Sequence, residues 1–128
     1  MSIISKLQKK CKPDDPRPFK LTKPEVLKYF TLLYKQLDNV DYIVFRKLRT
    51  NWGYFVTLPA KNVSYIELDP REPILPTLVH ELIHSLLPEL SENEVLSLEA
   101  SLINRLTIRQ YRKLLEKALP KIKFKKLQ

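Results

Sequence analysis

The chain has 128 residues, of which 44% are hydrophobic, and this is enough for one domain with its own core. A wholly disordered chain is therefore excluded. No apolar run reaches the roughly 18 residues that a membrane-spanning helix needs, and the first residues alternate apolar with basic side chains, unlike a secretory signal. We expect an intracellular, cytoplasmic protein without a membrane partner. Cys11 is the only cysteine, which excludes an intrachain disulfide.

The net charge of +9 is unevenly distributed along the chain. Residues 1–23 and 105–128 are strongly basic, whereas residues 71–104 contain six glutamates and a single arginine. Basic ends of this kind suit a nucleic acid or an acidic protein surface as a partner. Both histidines of the chain lie within the acidic segment.

Three segments are predicted in chain order. Residues 1–21 contain three prolines and are expected to form a basic, extended N-terminal arm. Residues 22–119 form the single folded domain, and residues 120–128 form a basic C-terminal tail. The domain opens with the capping box Thr22-Lys23-Pro24-Glu25, which predicts a helix that runs to about Leu37.

Three stretches rich in β-branched and aromatic residues follow the first helix. They predict an antiparallel meander with Gly53, the only glycine, at the first reversal in a conformation with positive φ. The predicted strands are Tyr42–Leu48, Tyr54–Leu58 and Val63–Leu68.

Three helices are predicted in the remaining part of the domain. An apolar run from Leu78 to Leu87 predicts the first of them, and Pro88 ends it. Ser91 and Thr107 each begin a capping box and therefore start the next two, the last of which runs to about Leu119. The fold class is α+β, with a small antiparallel or mixed sheet.

The sequence His80-Glu81-Leu82-Ile83-His84 matches the H-E-x-x-H pattern. Residues four apart lie one turn apart on the same face of a helix, so both imidazoles can reach one ion. Zn²⁺ bound by two histidines takes a third protein ligand and keeps a position for water. Glu81 is then the candidate general base for peptide hydrolysis. The alternative is that His80 and His84 are simply core histidines.

The third ligand must be a carboxylate, because the chain has no third histidine and Cys11 lies in the arm. The downstream candidates are Glu89, Glu92, Glu94 and Glu99. Glu94 is explained by the capping box of Ser91, and Glu92, at the first helical position, suits the helix dipole.

Glu99 is the first choice because it points into the apolar stripe of its helix, where an unpaired carboxylate would cost several kcal/mol. Glu92 points only about 20° away from Glu99 around the helix axis and is the second choice. The alternative for Glu99 is an ion pair, for which the available partners are Arg46, Arg49 and Arg105.

These residues resemble the zincin metallopeptidases of the gluzincin type, near the minimal ImmA/IrrE-like or SprT-like end of that group. The resemblance covers roughly Tyr42 to Leu106. It implies a zincin-like fold in which a strand leads into the H-E-x-x-H helix and a glutamate-bearing helix follows. It also implies zinc as cofactor, a polypeptide substrate, and an edge strand, Val63–Leu68 or its neighbour, that pairs with the substrate backbone.

An oxyanion-stabilising donor is also expected in such a site, and the candidates are Tyr111, Tyr65 and Arg105. The sequence therefore predicts a zinc metalloendopeptidase. The alternative is a non-catalytic, zinc-binding protein with the same fold that associates with nucleic acid or serves in an assembly.

Overall fold

A computed structural model describes residues 20–49 and 51–123, so Cys11 and most of the predicted N-terminal arm lie outside the described residues. Within these ranges the chain forms four α-helices and one four-stranded sheet. The helices are α1 (Lys23–Gln36), α2 (Ile74–Leu86), α3 (Glu92–Arg105) and α4 (Ile108–Ala118). The strands are β1 (Tyr42–Phe45), β2 (Gly53–Leu58), β3 (Val63–Leu68) and β4 (Ile122–Lys123). The predicted α+β class with a small mixed sheet is confirmed.

Three helices begin where the sequence predicts them. Thr22, Ser91 and Thr107 each accept a hydrogen bond from the backbone N–H three residues later, and the side chain at that later position accepts one from the backbone N–H of the cap residue. Each box satisfies backbone N–H groups that the first helical turn leaves unpaired. The carboxylate of Glu94 is used in this way at the start of α3.

The remaining helix, α2, begins earlier than the predicted apolar run from Leu78 to Leu87. It starts at Ile74 and includes Pro76, which lies in the first turn, where no helical backbone N–H bond is lost. Its buried residues include Leu78, Val79 and Leu82. The helix therefore crosses the core, in contact with α1, α3, β2 and β3.

The sheet is not the predicted antiparallel meander, because its strand order is β2-β3-β1-β4. The middle strand β3 pairs antiparallel with β2 and parallel with β1, which also pairs parallel with β4. The burial of Ile66, Glu67 and Leu68 is consistent with this order, because a strand with a neighbour on each side is shielded from solvent. The predicted edge strand Val63–Leu68 is therefore interior, and its neighbour β2 forms the edge.

Both predicted ends of the domain continue into ordered structure. Leu21, at the end of the predicted arm, is buried, and its carbonyl accepts a hydrogen bond from Arg105. Ile122 and Lys123, within the predicted tail, form β4 against β1. Residues 124–128 of the tail lie outside the described part of the chain.

None of the helices formed by the described residues has both the length and the apolar character needed to cross a bilayer.

Candidate metal centre

Gly53 allows the edge strand β2 to approach α2 closely. Its φ is not positive, contrary to the prediction, and among residues 20–49 and 51–123 the residue with positive φ is Asn62, at the turn before β3. A Cβ atom on Gly53 would lie 3.0 Å from the Glu67 carbonyl oxygen, 3.0 Å from Thr77 Cγ2 and 3.1 Å from Glu81 Cγ. Gly53 is therefore required for space, and it brings β2 against the side of α2 that carries Glu81.

A cleft of about 650 Å³ lies between this edge strand, α2 and the start of α3. This volume is within the range of small-ligand sites. The lining includes both histidines and three of the acidic side chains that the sequence singled out. The residues that line it are Asn51, Trp52, Gly53, Tyr54, Phe55, Thr77, His80, Glu81, His84, Glu92, Leu96 and Glu99.

The two histidines point the same ring nitrogen toward each other. His80 Nε2 and His84 Nε2 are 3.1 Å apart, as expected for residues one turn apart on α2. Glu92 completes the group, with Oε1 2.8 Å from His80 Nε2 and Oε2 2.9 Å from His84 Nε2. His80, His84 and Glu92 could together hold a metal ion.

The spacing of these donor atoms fits a small divalent cation. A tetrahedral Zn²⁺ site with bonds of 2.0–2.1 Å has ligand atoms about 3.3 Å apart. The distances of 2.8 to 3.1 Å in this group are slightly shorter than that value. Two imidazole nitrogens and one carboxylate are also ligands that zinc accepts.

Glu99, the first choice for the third ligand, contacts the opposite side of the His80 ring. Its Oε1 lies 2.6 Å from His80 Nδ1, and its side chain is 19% exposed. Glu92 is 61% exposed and lies near both Nε2 atoms. Glu92 and Glu99 point in nearly the same direction around the axis of α3, so direction alone could not distinguish them as ligands. They lie about 10 Å apart along that axis, however. The packing of α3 against α2 thus brings Glu92, and not Glu99, to the Nε2 atoms.

The hydrogen bond to Glu99 determines which nitrogen of the His80 ring carries the proton. When Nδ1 carries the proton and donates it to Glu99, Nε2 keeps its lone pair for a metal. Burial lowers the pKa of His80, but the hydrogen bond with Glu99 and the negative charges of Glu92, Glu81 and Glu99 together raise it more, so the net change in this pKa is upward. Among the described residues the recorded ionic partner of Glu99 is His80, and not Arg46, Arg49 or Arg105. Arg46 pairs with Glu67, and Arg105 donates to the Leu21 carbonyl.

Glu81 is buried at the wall of the cleft beside β2. Burial raises its pKa to about 7, the negative charges of Glu92 and Glu99 act in the same direction, and His80 opposes them. The backbone N–H of Phe55 also bonds to the Glu81 carboxylate and holds it toward the edge strand. A carboxylate with a pKa near neutrality can both accept and release a proton at physiological pH.

The three predicted oxyanion donors do not line the cleft. The Tyr111 hydroxyl donates to the Ile103 carbonyl, and Tyr65 stacks on Tyr42 with ring centroids 4.8 Å apart. Arg105 donates to the Leu21 carbonyl at 2.7 Å. Each of the three therefore has a structural partner elsewhere in the fold.

The wall formed by Trp52, Tyr54 and the Phe55 amide was not predicted from the sequence. The only signal was the break between two strands at residues 51–53. That break marks a loop but does not indicate which element the loop faces.

An ion pair fastens the loop that carries this wall. The Asp69 carboxylate accepts hydrogen bonds from the Leu48 backbone N–H at 3.0 Å and from Arg71 Nη2 at 2.6 Å. The Asp69 backbone N–H donates to the Trp52 carbonyl at 2.8 Å. The loop before β2 is thus joined to the segment that leads into α2.

This ion pair predicts an acid-dependent loss of stability. The hydrogen bonds from Arg71 and from the Leu48 amide hold the pKa of Asp69 well below its usual range. The carboxylate therefore stabilises the fold fully above its unfolded pKa of about 3.9, and this contribution is lost as the pH falls through the lower folded value. Urea unfolding should show that Asp69→Asn is less stable than the wild type above pH 5, and that the difference shrinks below pH 4.

Arg71→Gln removes the main cause of the shift and should show the same convergence toward the wild type at low pH. A stability difference that stays constant from pH 7 to pH 3 would contradict the assigned role of Asp69.

Comparison with known protein families gave no matching family model, and neither a curated protein nor a solved structure is significantly similar to the chain.

Proposed function

We propose that this protein is a zinc-dependent peptidase, with His80, His84 and Glu92 as metal ligands and Glu81 as general base. The observation that carries the proposal is the convergence of both Nε2 atoms and the Glu92 carboxylate within 3.1 Å of one another, in a cleft that Glu81 also lines. The resemblance of the H-E-x-x-H helix to gluzincins supports the same conclusion.

Each side chain has a distinct part in the proposed hydrolysis. Zn²⁺, when bound, supplies a Lewis acid that makes water more acidic and polarises the substrate carbonyl. Glu81 accepts the proton of the attacking water and delivers it to the amine of the broken peptide bond, so that one carboxyl and one amino terminus result. Glu99 holds the His80 ring by its Nδ1 proton and acts as a positioning residue.

The first test is metal content together with hydrolysis. The purified full chain should bind one equivalent of zinc, measured by elemental analysis after gel filtration. It should cleave an unfolded protein such as casein, and it should lose this activity with a chelator and regain it with added zinc. A folded protein that binds no zinc would overturn the proposal.

The second candidate is a zinc-binding protein that associates with nucleic acid and has no peptidase activity. The exposed side chains of Arg109, Arg112 and Lys113 on α4, together with the net charge of +9, favour it. Binding of duplex DNA that weakens steeply with salt, together with absence of hydrolysis by the zinc-loaded chain, would establish this candidate in place of the first.

A further inference from the structure

Trp52 is the only tryptophan of the chain, and 60% of it is exposed. It lies at the wall of the same cleft that His80 and Glu81 line. A large aromatic side chain gains free energy when it is covered, so one that remains exposed beside a candidate active site suits contact with a ligand.

The backbone that carries Trp52 is held on both sides. Its carbonyl accepts the Asp69 amide proton, and Asp69 is itself bonded to Arg71. The next residue, Gly53, lies tightly against Thr77 and the Glu81 side chain. The backbone at Trp52 is therefore already held in place before a ligand binds. Less conformational entropy is then lost when a ligand orders the Trp52 side chain.

The surroundings of Trp52 define the chemistry that the cleft prefers. Tyr54, of which 38% is exposed, and the half-buried Leu96 line the same cleft and add apolar surface. Glu92 and Glu99 line it as well, and a bound Zn²⁺ would offset their negative charge. An apolar side chain can cover the aromatic wall, whereas a charged one would lose its hydration against that wall.

We infer that Trp52, Tyr54 and Leu96 form a subsite for an apolar or aromatic side chain of the polypeptide substrate, close to the bond that is cleaved. This inference rests on the proposed peptidase function and adds a substrate preference to it.

The test uses Trp52 as its own reporter. Full-length Glu81→Gln protein, with one equivalent of zinc, is titrated with blocked peptides Gly-Gly-Xaa-Gly-Gly in which Xaa is Phe, Ala or Glu. The Phe peptide should change the tryptophan emission in a saturable way and bind about tenfold more tightly than the Ala peptide, with the Glu peptide weaker than both. Equal affinities for all three peptides would overturn the inference.

Variants of Trp52 test whether the preference for the Phe peptide depends on the aromatic side chain at this position. Peptide binding to each variant is measured by calorimetry. Trp52→Ala should reduce the preference for Phe over Ala to about twofold or less, whereas Trp52→Phe should keep most of it. Ile108→Ala is the matched control, because Ile108 is 80% exposed on α4 and is not among the cleft residues. A Trp52→Ala protein that keeps the full preference would also overturn the inference.

The two proposals fail in distinguishable ways. Hydrolysis by the zinc-loaded wild type without any preference for Phe would overturn the subsite and leave the peptidase function intact. Preferential binding of the Phe peptide with no hydrolysis of any peptide or unfolded protein would overturn the peptidase function and leave the subsite as a binding site.

Discussion

Replacing Glu92 with alanine should abolish stoichiometric zinc binding, whereas replacing Glu99 with alanine should weaken zinc binding by about 10- to 100-fold. Glu92 lies within 2.9 Å of the Nε2 atoms of both His80 and His84, so its loss removes one of three donors. Glu99 hydrogen-bonds to His80 Nδ1, on the other side of the ring from Nε2, so its loss leaves the three donors present and frees the ring to rotate. Competition with a chromophoric chelator measures both affinities.

Two further variants serve as controls for the loss and the retention of zinc. His84→Ala should lose zinc as completely as Glu92→Ala does. Glu89→Ala removes an exposed carboxylate from the same acidic segment and should leave the affinity for zinc unchanged. Zinc retained at one equivalent by Glu92→Ala and lost by Glu99→Ala would reverse the assignment and make Glu99 the third ligand.

Replacing Glu81 with glutamine should lower kcat by about 10²- to 10⁴-fold while the bound zinc stays at one equivalent. Glutamine has nearly the same shape and its carbonyl oxygen can still accept the Phe55 amide proton, so the frame around the cleft is kept. It cannot take a proton from water, and hydrolysis should therefore fail at the chemical step. Initial rates on a quenched fluorescent peptide, with metal content measured in parallel, check both parts.

The melting temperature of Glu81→Gln serves as its control. Burial disfavours the charged carboxylate of Glu81, so the neutral amide should melt at or above the wild-type temperature. Hydrolysis that persists at the wild-type rate in a folded, zinc-loaded Glu81→Gln protein would assign the proton transfer to another group.

Features that depend on neighbours in sequence could be predicted. The capping boxes at Thr22, Ser91 and Thr107 begin helices at the predicted residues because each box closes within one helical turn. The H-E-x-x-H spacing likewise places His80 and His84 on one face of one helix, since helical geometry alone decides it.

Features that depend on packing between distant segments could not be predicted. The strand order was wrong because alternation along a strand shows which face is buried but not which strand lies beside it. The role of Gly53 was assigned to a turn, whereas its place against Thr77 and Glu81 comes from the approach of α2 to β2.

Residue type and spacing within one helical turn were enough to predict a helix that carries both imidazoles, Glu81 as the candidate base, and a carboxylate as the third ligand. Which carboxylate meets the Nε2 atoms, and which strand forms the cleft wall, depends instead on how α3 and β2 pack against α2. Glu92 and Glu99 share one face of α3, and the height at which α3 packs against α2 is set by long-range contacts of the core.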